Sequence, residues 1–151
     1  MVNDLPGKFI GIILAFFLTV VMPFVNITVE DELINRRLIV TDVCSFIDEV
    51  VDSRSITSAM IKDLNVSLAQ YGMSVDYDIT RYIKSVNIDP KSTDDFYVSY
   101  IKNDDTSKFN KGDKISVHVY THGYSAAGYL AHKLSGVFIS ELDTTITARI
   151  R

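Results

Sequence analysis

FIGIILAFFLTVVMPFVNITV, from Phe9 to Val29, runs for 21 residues without a formal charge. As far as Val25 it departs from large apolar residues or alanine only at Gly11, Thr19 and Pro23. A helix rises 1.5 Å per residue, so this stretch reaches about 31 Å, the hydrocarbon thickness of a bilayer. A cleaved secretory signal has a shorter apolar region followed by a small-x-small site; here Val25-Asn26-Ile27-Thr28-Val29 and then acids follow. A buried core helix this uniform requires a far larger protein around it. The stretch therefore reads as a transmembrane helix over residues 9–29, with a short tail or leader at 1–8 and one domain at 30–151. Pro23 is tolerated in such a helix and predicts a bend.

Working outward, the flanks bear on orientation. Lys8 precedes the span; Glu30, Asp31 and Glu32 follow it, then Arg36 and Arg37. The positive-inside rule counts cations and gives acids little weight, so the arginine pair opposes the assignment. A short tail before the span and a long acidic domain after it favour a cytoplasmic N-terminus and an extracytoplasmic C-terminal domain. Membrane lipid is the first expected partner.

The whole chain is 47% apolar and 23% charged, with a net charge of −4. The domain carries that same charge, because Asp4 and Lys8 cancel. A mildly acidic surface argues against nucleic acid and against a grip on anionic lipid headgroups. Cys44 is the one cysteine, so no internal disulfide forms and stability rests on packing.

Beyond Pro23 no proline or glycine occurs before Gly72, and the spanning helix is expected to run on. Leu33, Val40, Cys44, Ile47 and Val51, joined by Val43 and Val50, recur at helical spacing; Asn35, Arg36, Asp42, Ser45, Glu49 and Asp52 take the other face. Ser53, Arg54 and Ser55 offer capping chemistry to a second helix marked by Ile56, Met60, Leu64 and Leu68, with Gly72 at its C′ position. From Met73 to Ile79 the period is two, a half-buried strand. Tyr82 to Ile88 shifts phase, which predicts a bulge or a separate strand. Asp89 to Asp95 reads as a loop. Phe96–Ile101 and Ile115–Tyr120 read as an antiparallel pair, Ser125–Leu134 as a short helix, and Leu142, Thr144, Ile146, Ala148 and Ile150 as a last strand. The fold class is α+β: a long helix, transmembrane then amphipathic, with a small and mostly antiparallel sheet packed on its outer half.

Candidate chemistry is sparse. Gly123-Tyr124-Ser125-Ala126-Ala127-Gly128 stands between strand and helix as a nucleophile elbow does, but Ala127 occupies the place of the second glycine. The simpler reading gives Gly123 a left-handed backbone and makes Ser125 a helix N-cap. His118 and His122, four apart on a strand, lie about 13 Å from one another, too far to share an ion, and His132 comes from elsewhere. Asp76, Asp78, Asp89, Asp94, Asp95, Asp104, Asp105 and Asp113 collect at strand ends and loops without the spacing of a calcium-binding helical loop. Asn26-Ile27-Thr28 and Asn65-Val66-Ser67 match the glycosylation tripeptide, one at the membrane and one inside a helix. Tyr77, Tyr82, Tyr97, Tyr100 and Tyr120 fall on strands, as core packing or as a contact surface between subunits. No residue is assigned a catalytic, cofactor-binding or metal-binding role, and no cofactor or small-molecule substrate is expected.

The plan as a whole resembles type IV pilins and pseudopilins: a leader ending in glycine (Asp4-Leu5-Pro6-Gly7-Lys8-Phe9-Ile10), the apolar run to Val29, the amphipathic stripe to Val51 and a small α+β head. The closing pattern is similar to the TadE-like branch of tight-adherence systems: a strand at Ile115–Tyr120, an apolar helix at Tyr129–Leu134, and a strand ending Thr145-Ile146-Thr147-Ala148-Arg149-Ile150. The resemblance implies a non-enzymatic subunit of a type IV pilus or a related secretion or assembly apparatus. It implies as partners other pilin-like subunits or assembly-platform proteins. Such proteins have a glutamate five residues into the mature chain; cleavage after Gly7 would put Ile12 there. A permanent surface anchor that binds a ligand or partner fits the same residues, and a small hydrolase is the remaining alternative.

Overall fold

In the computed structural model, residues 5–88 and 96–151 are described. The expected leader residues Met1 to Asp4 and the expected loop Asp89 to Asp95 lie outside them. The helix does run on: α1 (Leu5–Phe16), a π-helical turn (Phe17–Val21) and α2 (Met22–Ser53) follow without a break. In the π-helical turn the Met22 N–H reaches back to the Phe17 carbonyl. Pro23 has no N–H to give, and its ring would crowd the carbonyl four residues earlier. A wider turn before it relieves that clash, so the irregularity expected at Pro23 is a π-helical turn. Phe9, Ile10, Ile12, Ile13, Leu14 and Phe16 are each more than half exposed.

Arg54 ends α2 in the left-handed conformation (φ 56°), its N–H on the Val50 carbonyl. The second helix, α3 (Ser58–Ala69), starts later than expected. Thr57 caps it, its side chain accepting the Met60 N–H, while Ser55 forms a β-bridge with Lys108. Ile56 lies before the helix but packs on the core. Gln70 is the C-cap, so Gly72 (φ 67°) stands one residue beyond C′.

Four strands follow: β1 (Ser74–Ile88), β2 (Phe96–Asn103), β3 (Lys114–His122) and, after α4 (Ala126–Ser135), β4 (Asp143–Arg149). All neighbours are antiparallel, in the order β2-β1-β3-β4. The expected β2–β3 pair is therefore corrected: each strand pairs with β1, on opposite edges. β1 stands between them, with β3 along Ser74–Tyr82 on one edge and β2 along Arg81–Ile88 on the other. The expected bulge is also absent, since both registers run unbroken. The phase shift has another cause: beyond Tyr82 the strand leaves β3, and the hairpin with β2 extends past the core.

The amphipathic half of α2 covers the sheet, but on a face rotated from the expected one. Ile39, Val43, Phe46, Ile47 and Val50 are buried with Met60, Leu64 and Leu68 of α3 and Ile115, Val117 and Val119 of β3. Leu33 is exposed, Val40, Cys44 and Val51 are half-buried, and Arg36, expected on the polar face, is buried. Asp42, also expected on the polar face, accepts hydrogen bonds from the Ser67 and Tyr71 hydroxyls and so ties α2 to α3. On β4 the alternation holds: Leu142, Ile146 and Ala148 pack on the core and Ile150 is buried in it.

Candidate functional site

An extended polar arrangement joins α4 to α2 just beyond the uncharged run. β3 ends at His122, Gly123 turns the chain with φ 73°, and Ser125 caps α4 by accepting the Gly128 N–H. Glu32 completes this cap from α2. Its Oε2 accepts the Ser125 hydroxyl at 2.7 Å, and its Oε1 accepts the Ser125 N–H at 3.2 Å. A carboxylate at a helix N-terminus is favoured by the unpaired N–H groups and by the helix dipole. Glu32 is 1% exposed. Arg36, one turn along, lies 3.6 Å from it by Nη2 and donates from Nη1 to the Ser140 carbonyl. Its Nε has no protein acceptor among the described residues.

Close approach is what Gly128 provides. A Cβ there would stand 2.8 Å from Glu32 Oε2, a contact that real side chains do not make. Gly128→Ala is expected to destabilise α4 docking by about 1–3 kcal/mol, the usual scale of overpacking. Faster amide exchange confined to α4 checks this, against unchanged exchange in α3.

Ser125 holds the cap role at the Gly123–Gly128 turn, its hydroxyl proton committed to Glu32. His132 stacks on Tyr124 and its Nδ1 hydrogen-bonds the Val137 carbonyl.

The other two histidines lie on the outer sheet face on either side of Tyr120. His118 pairs with Asp143 at 2.8 Å and His122 with Asp76 at 3.0 Å, so the two are engaged separately. Asp78, then burial, then Asp76 push the Tyr120 phenol up from its ordinary value. Among the described residues no three His, Cys, Asp or Glu side chains gather as metal ligands do. Asp113, one of the aspartates considered for calcium, is committed elsewhere. Its Oδ2 accepts from Arg81 Nε and Nη2 and from the Asn110 N–H, and its Oδ1 from the Lys84 N–H. Asp105 accepts the Ser107 N–H and hydroxyl. Asn65, in its glycosylation tripeptide, is exposed on α3 and accepts from the Tyr77 hydroxyl. Asn26 lies exposed on α2. Tyr100 stacks under Lys114 Nζ at 3.7 Å, whereas Tyr97 lies exposed on the β1–β2 hairpin beside Val86, Phe96, Val98 and Ile101.

No family model, no curated protein and no solved structure matches the chain. Its function is therefore argued from its own geometry. Glu32 and Arg36 are the residues that sequence reasoning missed. Their signal was phase: 32, 36, 39, 43, 46 and 50 form one heptad-like row, and a charged pair spaced i, i+4 within such a row belongs to the buried side.

Proposed function

We propose that this protein is a non-enzymatic, membrane-anchored assembly subunit of pilin-like plan, with its head outside the cytoplasmic membrane. One observation carries the reading. Among the described residues one helix, Pro6–Ser53, is long and apolar enough to cross a membrane, and 6% of its most apolar window is buried within the chain. The core helix of a soluble protein is mostly buried. Here the apolar half is uncovered while the other half is the wall of the head. A uniformly apolar surface suits lipid and neighbouring helices alike, so a subunit of this plan can pass from bilayer to filament without exposing it to water.

Leu18→Arg, placing a charge near the middle of the span, is expected to cost about 2.5–3.5 kcal/mol of insertion and to impair membrane retention. Fractionation of the full chain checks this. Complete pelleting of that variant and of one lacking the residues before Glu30 would remove the anchor from the reading. The mass of the membrane-extracted N-terminus separates the two forms of the proposal: a chain beginning at Lys8 indicates prepilin processing, and an intact Met1 a permanent anchor.

The permanent, ligand-binding anchor has two observations in its favour. A depression of about 530 Å³ between α2 and the end of β4 is lined by Lys111, Arg149 and Arg151 with Asp48. That excess of cations suits an anionic group of a partner. Ile12, in the position where pilin-like chains carry glutamate, favours the same form.

A further inference from the structure

We propose that α4 and the turn leaving it form a second membrane contact, lying in the lipid interface beside the spanning helix. The inference rests on the membrane-anchor reading and specifies how the head meets the bilayer. Three observations carry it: where α4 sits, what it exposes, and which charges it lacks.

Position comes first. β4 begins after Leu142, which lies beside Leu33 and Val40, and ends toward Ile150, beside Val51. It therefore ascends with α2, and antiparallel β3 descends toward the span. β3 delivers the chain to Ser125 and Gly128, both at Glu32. Below Glu32, Thr28 and Val25 continue one row on the same face of α2, and both are buried. α4 packs on α2 with its N-cap held at Glu32, which makes it the element placed to cover that part of the row. Seven residues of helix separate Val25 from Glu32, about 10 Å along the axis. The uncharged run ends at Val29, so the far end of α4 lies level with the last turn of the apolar stretch.

Chemistry agrees. Gly128 and Ala131 face α2, and the opposite arc presents Tyr129 (52% exposed), Leu130 (55%) and Leu134 (52%), with Val137 (42%) and Phe138 (74%) just beyond. A soluble head gains nothing by displaying these five together, and tyrosine and phenylalanine at this level match the aromatic belt of membrane proteins. Lys133 is the one formal charge from Ser125 to Ser140, and its Nζ lies 5.5 Å from the Tyr129 ring centroid. Its long stem lets the ammonium reach the headgroups while the ring stays below. No acid falls in this segment, although the head as a whole is acidic. The exposed β1–β2 hairpin has no such continuity with the span.

The chain has no tryptophan, so one introduced residue reports its own surroundings. The full chain would be reconstituted at high dilution into phosphatidylcholine–phosphatidylglycerol vesicles, with lipids brominated either near the headgroup or deep in the chain. Phe138→Trp is expected to emit at shorter wavelength than in water and to lose most of its emission to shallow bromines. Val66→Trp, exposed on α3, should emit as in water and be unquenched. Leu18→Trp tests the anchor by itself and should be quenched by deep bromines. If Leu18→Trp is quenched and Phe138→Trp is not, the span stands and this inference falls. If neither is quenched, the anchor reading falls with it. A blue-shifted Phe138→Trp that ignores bromine would place protein, such as a neighbouring copy, over this face, and would also overturn the inference.

Discussion

Asp113→Ala is expected to cost the head about 3–5 kcal/mol, because it leaves the Arg81 guanidinium buried without its counter-ion. Arg81 is 6% exposed and Asp113 2% exposed, with Nη2 and Oδ2 2.7 Å apart. The aspartate does more than balance a charge. Lys84 lies on β1 just past the last residue paired with β3, and its N–H takes Asp113 Oδ1 in place of a strand. The backbone of Asp113 accepts the Ile150 N–H, and Gly112 donates to the Ile150 carbonyl, so the loop before β3 and the end of β4 are tied at the same point. Denaturant unfolding of the full chain in micelles, followed by circular dichroism, measures the loss.

Acid tests the same group. Burial alone would raise the Asp113 carboxyl, but hydrogen bonds from the Asn110 N–H, Arg81 and the Lys84 N–H outweigh it and hold the pKa below the ordinary value. A carboxyl depressed in the folded state stabilises it above the unfolded value of about 3.9, and that contribution is lost as pH falls through the folded pKa. The head should therefore weaken only below about pH 4, and Asp113→Asn, though less stable at neutrality, should show a flatter acid limb. An equally steep limb in the variant would assign acid sensitivity to other groups.

Glu32→Ala is the second large effect, again about 3–5 kcal/mol, since it strands a buried arginine. It also removes half of the α4 cap. The double variant Glu32→Leu with Arg36→Leu should recover most of that loss. A buried pair whose guanidinium is partly unsatisfied is one that apolar residues replace at little cost. Unfolding titrations of Glu32→Leu, Arg36→Leu and the double variant form the cycle that isolates the pair. If the single and double variants were equally unstable, the pair would contribute nothing beyond the side chains' volume.

Much of this architecture was legible residue by residue. The run from Phe9 to Val29 is uniform enough that composition alone marks it. The turn at Gly123 and the cap at Ser125 were readable because each is a local choice, one of backbone sign and one of a side chain near its own helix. The phase of α2 was not, because Glu32 and Arg36 look like solvent residues until each is seen to answer the other across one helical turn. Strand order was likewise hidden: β2 and β3 look like neighbours along the chain, and nothing local to either shows that β1 stands between them. The apparent phase break near Tyr82 read as a bulge because alternation reports a core, and beyond Tyr82 no core lies beneath the strand.

The unbroken helix from span to head has an angular consequence. No linker separates the two, so the direction in which the sheet faces is set by the same screw that sets which way each residue of the apolar run points. One residue added between Val29 and Glu32 would swing the head by about 100° and lift it by about 1.5 Å. It would also throw Val25 and Thr28 out of line with Glu32, breaking the buried row at whose upper end α4 docks. The bearing of the head is thus fixed by counting residues, and α4 is the key that fits only one count.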